Sequence, residues 1–172
     1  MQKLILNRAY LRHNLYNMLI LLDWLWVDAL TIYPFMFMRR DKYNIYMLNH
    51  EYIHTRQQLE CGVVGLVFGL ILSLIMRGHF WLPLIFAFSA YYIYWIEFIV
   101  KYFYYGRDKV KAYAFISFER ESFAHQHIIG YAKNRPLFAW FKFIYISDKK
   151  IQDAGRQNNS NNKTSKTKKN RR

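Results

Sequence analysis

From Ile45 to Met76 the sequence runs for thirty-two residues without a proline, and its character changes halfway along. The first half, "IYMLNHEYIHTRQQLE", is polar and charged; the second, "CGVVGLVFGLILSLIM", is apolar throughout. Such a stretch predicts one long helix that leaves an aqueous environment and enters an apolar one. The apolar part has sixteen residues, about 24 Å at 1.5 Å per residue, slightly short of a roughly 30 Å hydrocarbon core. Gly62, Gly65 and Gly69 predict close packing against a second helix, as small residues do in membranes.

That second helix is expected directly afterwards. "RGHF" at 77–80 reads as a tight turn, and "WLPLIFAFSAYYIYWIEFIV" at 81–100 as a second apolar segment. Together, about 61–100 reads as a hydrophobic helical hairpin. Aromatics at Phe80, Trp81 and 91–95 suit the interfacial belts of a bilayer. Arg39, Arg40, Lys42 and Arg56 precede the hairpin and Lys101, Arg107, Lys109 and Lys111 follow it, while the turn has only Arg77. The positive-inside rule then puts both ends, and the polar half of the first helix, on the cytoplasmic side.

Elsewhere the chain is less regular. Residues 4–27 mix charges with "MLILLDWLWV" and read as an amphipathic, interfacial or buried helix. "LTIYPFMFM" at 30–38 reads as a strand that Pro34 confines to a sheet edge. "VKAYAFISFERESFAHQHIIGYAK" at 110–133 has helical periodicity with no breaker before Gly130, and "PLFAWFKFIYI" at 136–146 reads as an amphipathic segment. The expected organisation is a single mainly α, membrane-associated domain over 1–147, with a disordered basic tail over 148–172. That tail holds nine Lys/Arg against two Asp, half of the net charge of +14. Charge of this kind beside so much apolar surface points to anionic lipid as a partner rather than nucleic acid. One cysteine, Cys61, excludes a disulfide framework and a cysteine-based metal cluster. The start shows no signal-peptide pattern, so the N-terminus is expected to be retained.

The chemistry is concentrated in His50-Glu51-Tyr52-Ile53-His54, which fits H-E-x-x-H. Residues four apart on a helix lie one turn above each other, so both imidazoles can reach one ion while Glu51 stands beside them as general base. Catalytic zinc usually takes three protein ligands, so a third must come from elsewhere. Of five glutamates, Glu60 points off the histidine face and Glu97 sits near the end of the second apolar segment. Glu119 and Glu121 remain, two residues apart and so unable to share a helical face.

These residues carry a resemblance. H-E-x-x-H followed by a helix reading Glu121-Ser-Phe-Ala-His125 resembles the gluzincin zinc metallopeptidases, above all the membrane-embedded CAAX prenyl proteases and HtpX-like heat-shock proteases. "NHEYIHTRQQLE" with "ISFERES" is also similar to small bacterial membrane proteins regarded as metallopeptidases, over about 29–145. The resemblance implies a minimal gluzincin fold, a zinc metalloendopeptidase activity on peptide or membrane-protein substrates, and Zn2+ held by His50, His54 and Glu121. It also implies an edge strand before the first zinc helix that binds extended substrate. His125 replaces the aspartate of the family's E-x-x-A-D pattern. His125, Arg120 and His127 are the candidates for supporting a ligand or stabilising an oxyanion. A di-iron hydroxylase needs about eight histidines, more than the six present. A catalytically inactive membrane adaptor with a lipid- or partner-binding tail is the alternative.

Overall fold

The computed structural model describes residues 18–144. The architecture is mainly α, with one small sheet placed before the long helix. Strands β1 (Met18–Leu22), β2 (Ala29–Ile32) and β3 (Phe35–Arg39) are ordered β1-β3-β2, with β1 parallel and β2 antiparallel to the central β3. Residues 18–22 are therefore strand and not part of a helix over 4–27, and residues 4–17 lie outside the described region. The continuous apolar run Met18–Leu22 pairs with β3, a partner that no local periodicity could announce. Pro34 also differs from expectation. It follows a cis peptide bond in the tight turn between β2 and β3, so 30–38 is a hairpin of two strands and not one edge strand. β3 is central, and β1 and β2 are the two edge strands among the described residues.

Helix α1 (Ile45–Met76) forms as the sequence predicts. Asn44 starts it by accepting hydrogen bonds from the Tyr46 and Met47 N–H groups, and positive φ at Arg77 and Gly78 turns the chain out of it. Its first turns carry Leu48 against Met36 and Met38, which closes the inner face of the sheet. The second apolar segment is divided at Phe88 into α2 (Leu82–Ala87) and α3 (Ser89–Tyr104). A Cβ on Gly65 would lie 1.8 Å from the Phe86 carbonyl oxygen, and one on Gly69 2.7 Å from the Pro83 Cα. Glycine is required at both because the two backbones touch.

The expected helix over 110–133 is also broken. It becomes α4 (Lys109–Ala114), α5 (Ser117–His125) and α6 (Tyr131–Asn134), followed by α7 (Phe141–Ile144). The cause of the first break lies in α3, where Glu97 accepts hydrogen bonds from the Ser117 N–H (2.9 Å) and hydroxyl (2.6 Å) and so caps α5. Asn49 of α1 ends α5, reaching the carbonyls of His125, Gln126 and Ile128. A core of Cys61, Ala90, Ile116, Phe118 and Trp140 fixes α5 against α1 and α3.

Candidate metal centre

His50 and His54 stand on the face of α1 that meets α5 and are buried there with Glu119. The two Nε2 atoms are 3.1 Å apart, and Glu119 Oε2 is 3.2 Å from His50 Nε2 and 3.4 Å from His54 Nε2. These residues form a group able to hold a metal ion. For ligand bonds of about 2.0–2.1 Å, a tetrahedral ion requires donor atoms about 3.3 Å apart, which the three separations match.

The outer hydrogen bonds give the imidazoles the tautomer a metal needs. Gln57 donates from Nε2 to the Phe118 carbonyl (3.1 Å) and to Glu121 Oε2 (2.9 Å), so its amide oxygen must be the atom 2.8 Å from His54 Nδ1. In a neutral His54 the hydrogen then sits on Nδ1 and the Nε2 lone pair faces Glu119. Gln126 Oε1, 3.2 Å from His50 Nδ1, does the same for the first histidine. Burial opposes a charge on His54, yet the Glu119 carboxylate, its hydrogen bond and the nearby Glu51 raise the His54 pKa to about 9. Burial alone would raise the Glu119 carboxyl, but the two histidines outweigh it and hold Glu119 well below the usual carboxylate range. The point where the three atoms meet thus favours positive charge, whether a proton or a metal ion.

The carboxylate that the structure brings to the two histidines is Glu119, whereas the family resemblance implies Glu121. Glu121 faces away from the histidines and pairs with Arg135, whose Nε lies 2.6 Å from Oε1 and whose Nη2 lies 2.9 Å from Oε2. Tyr131 donates to the same carboxylate at 3.0 Å, and Arg135 also binds Glu60. A buried guanidinium needs a buried anion, and Glu121 is the nearer one on α5. Its connection to the centre is indirect, through Gln57.

Glu51 borders the cleft beside the histidines, where the Thr31 hydroxyl of β2 donates to its Oε2 at 2.6 Å. The cleft has a volume of about 810 Å³ and lies between β2 and the aromatic faces of α3, α4 and α5. Two phenols enter it next to Glu119: Tyr94 donates to Oε1 at 2.9 Å, and Tyr113 hydrogen-bonds the same carboxylate. The sequence candidates for that role lie elsewhere. Arg120 Nη1 donates to the Phe143 carbonyl and its guanidinium sits 5.3 Å from the Phe115 ring centroid. The His125 ring stacks on Tyr131 with centroids 3.9 Å apart, and His127 packs edge-on against Tyr46. Thr31, Tyr94, Tyr113 and Gln126 were not singled out from the sequence. Gln57, three residues after His54 on the same helix, reads from the sequence as a local hydrogen-bonding residue, and it also reaches α5.

Compared with known proteins, the chain matches no family model, no curated relative and no solved structure.

Proposed function

We propose that the protein is a zinc-dependent peptidase of the membrane surface, a minimal gluzincin in which His50, His54 and Glu119 hold the metal. The observation that carries this reading is the set of donor separations, 3.1, 3.2 and 3.4 Å, with both imidazoles oriented by glutamine oxygens. Bound there, zinc supplies a water of pKa near 7 and a positive charge that polarises a carbonyl. Glu51, held by Thr31, accepts the proton of the attacking water and returns it to the leaving amine. The Tyr94 and Tyr113 hydroxyls, which hydrogen-bond Glu119 here, would serve the developing oxyanion by exchanging those bonds for it, a role the sequence had offered to His125, Arg120 or His127. The exposed edge of β2 beside Glu51 suits an extended peptide that pairs with it as an added strand.

The membrane reading rests on α1, which is long and apolar enough to cross a bilayer and has only 22% of its apolar window buried. With α2 and α3 it would form the hydrophobic hairpin, and the basic flanks would keep the site and both termini on the cytoplasmic side. Lipid and peptide or membrane-protein segments are then the partners, and nucleic acid is not. The test is elemental analysis of detergent-purified protein with a peptide-hydrolysis assay. About one zinc per chain, retained in Glu51→Gln and lost in His54→Ala, with hydrolysis by the wild type alone, is the expected result. Wild type that holds no zinc after reconstitution refutes the reading and leaves a membrane adaptor.

A further inference from the structure

The ladder between β2 and β3 decides which backbone groups of β2 are offered to a partner. The Arg39 N–H donates to the Asp28 carbonyl at 2.9 Å, and Leu30 and Ile32 stand opposite Phe37 and Phe35. In an antiparallel pair, hydrogen-bonded and non-hydrogen-bonded residues alternate, so the even-numbered residues of β2 serve β3. Ala29, Thr31 and Tyr33 therefore direct their N–H and C=O groups to the open side.

Part of that side is already taken. Gln58 of α1 donates from Nε2 to the Thr31 carbonyl at 2.9 Å and accepts the Tyr33 N–H on Oε1 at 2.8 Å. One side-chain amide thus occupies the edge as an extra strand residue would. The same Oε1 accepts the hydroxyl of Tyr91, on α3, at 3.0 Å. Gln58 and Tyr91 make a hydrogen-bonded bridge from β2 to α3, the two walls of the cleft. What is left for a peptide, among the described residues, is the Ala29 N–H and C=O and the Thr31 N–H on the side of Glu51, and the Tyr33 C=O beyond the bridge.

The bridge is close to the reacting centre. Gln58 is four residues beyond His54 on one helix, about 6 Å along the axis, which roughly two residues of extended chain would fill. We propose that the Gln58–Tyr91 bridge closes one end of the cleft, so that the site takes peptides by a chain end and leaves no more than about two residues between that end and the scissile bond. This rests on the peptidase reading and makes it an end-trimming activity in place of the endopeptidase expected from the sequence. Antiparallel pairing on β2 would put the substrate's N-terminus at the bridge; parallel pairing would put its C-terminus there.

Peptide hydroxamates test the length limit without requiring hydrolysis. Two series of apolar peptides, with the chelating group at the C-terminal end in one and the N-terminal end in the other, are extended from one to about six residues. Their binding is measured on the zinc-loaded full chain in detergent. In one series affinity is expected to rise to about two residues and then to drop at least tenfold. Gln58→Ala should abolish that drop and Tyr91→Phe, which removes a single hydroxyl, should weaken it, both with zinc retained. The series that shows the limit identifies the terminus. Affinity that stays level or rises through six residues in both wild-type series overturns the proposal, as does the absence of any hydroxamate binding to zinc-loaded protein. Peptide cleavage at bonds far from both ends overturns the closed end and keeps the peptidase. A length limit with no hydrolysis of any peptide does the reverse.

Discussion

Glu119 and Glu121 lie two residues apart and perform separable tasks, so neutralising each should produce opposite patterns in two assays. Glu119→Gln replaces one of three buried donors by a neutral amide. Zinc affinity should fall about a thousandfold or more, equivalent to about 4 kcal/mol. Glu121→Gln leaves the three donors in place and disturbs them only through Gln57, whose Nε2 donates to Glu121 Oε2 at 2.9 Å. Loss of an outer partner of this kind costs about tenfold to a hundredfold in metal affinity. Stability should rank the other way. The side chains of Arg135 and Glu121 are both 0% exposed, and removing one partner of a buried pair costs about 3–5 kcal/mol. Glu60 still binds the guanidinium, which places the cost at the lower end, about 3 kcal/mol. Competition with a chelating dye reads the first quantity, and thermal unfolding of chelator-treated protein reads the second. A Glu121→Gln protein that loses zinc a thousandfold while Glu119→Gln keeps it would refute the reasoning, and so would equal unfolding temperatures for the two metal-free variants.

Thr31→Val removes the 2.6 Å hydrogen bond to Glu51 without touching a ligand. Peptide turnover should fall about tenfold, with zinc content unchanged on elemental analysis. Gln57→Leu takes the acceptor from His54 Nδ1 and should weaken zinc about tenfold to a hundredfold in the dye competition, with hydrolysis recovering at excess zinc. Gly65→Ala puts a methyl group 1.8 Å from the Phe86 carbonyl oxygen and should cost about 3 kcal/mol or more in a denaturant titration. Finally, the protein should remain in the membrane fraction through alkaline carbonate washing; release into the wash would refute a spanning α1.

The sequence was most legible where information is local. A proline-free run, an Asn at its start and glycine beyond its end specify α1 through backbone hydrogen bonding and capping that act within a few residues. The two histidines share a face for the same reason. Legibility failed where a partner from far along the chain decided the outcome. Nothing near Met18 indicates that residues 18–22 will lie beside 35–39, because strand pairing is a contact between separate segments. The helical periodicity across 110–133 is real, yet Glu97, twenty residues before Ser117, captures the Ser117 N–H and starts a new helix there.

The candidate centre divides in the same way. By itself the sequence determined one half of it: His50 and His54 at a spacing that 3.6 residues per turn converts into a single helical face, with Glu51 beside them. Only the tertiary structure decided the other half. Glu119 and Glu121 are equivalent by composition and position, and they are distinguished by Arg135, which lies fourteen residues beyond Glu121 and is buried against it. The physical reason is the cost of an unpaired charge in an apolar interior. Once Arg135 is enclosed it must hold an anion, and the helical offset of two residues then turns the remaining carboxylate toward the histidines.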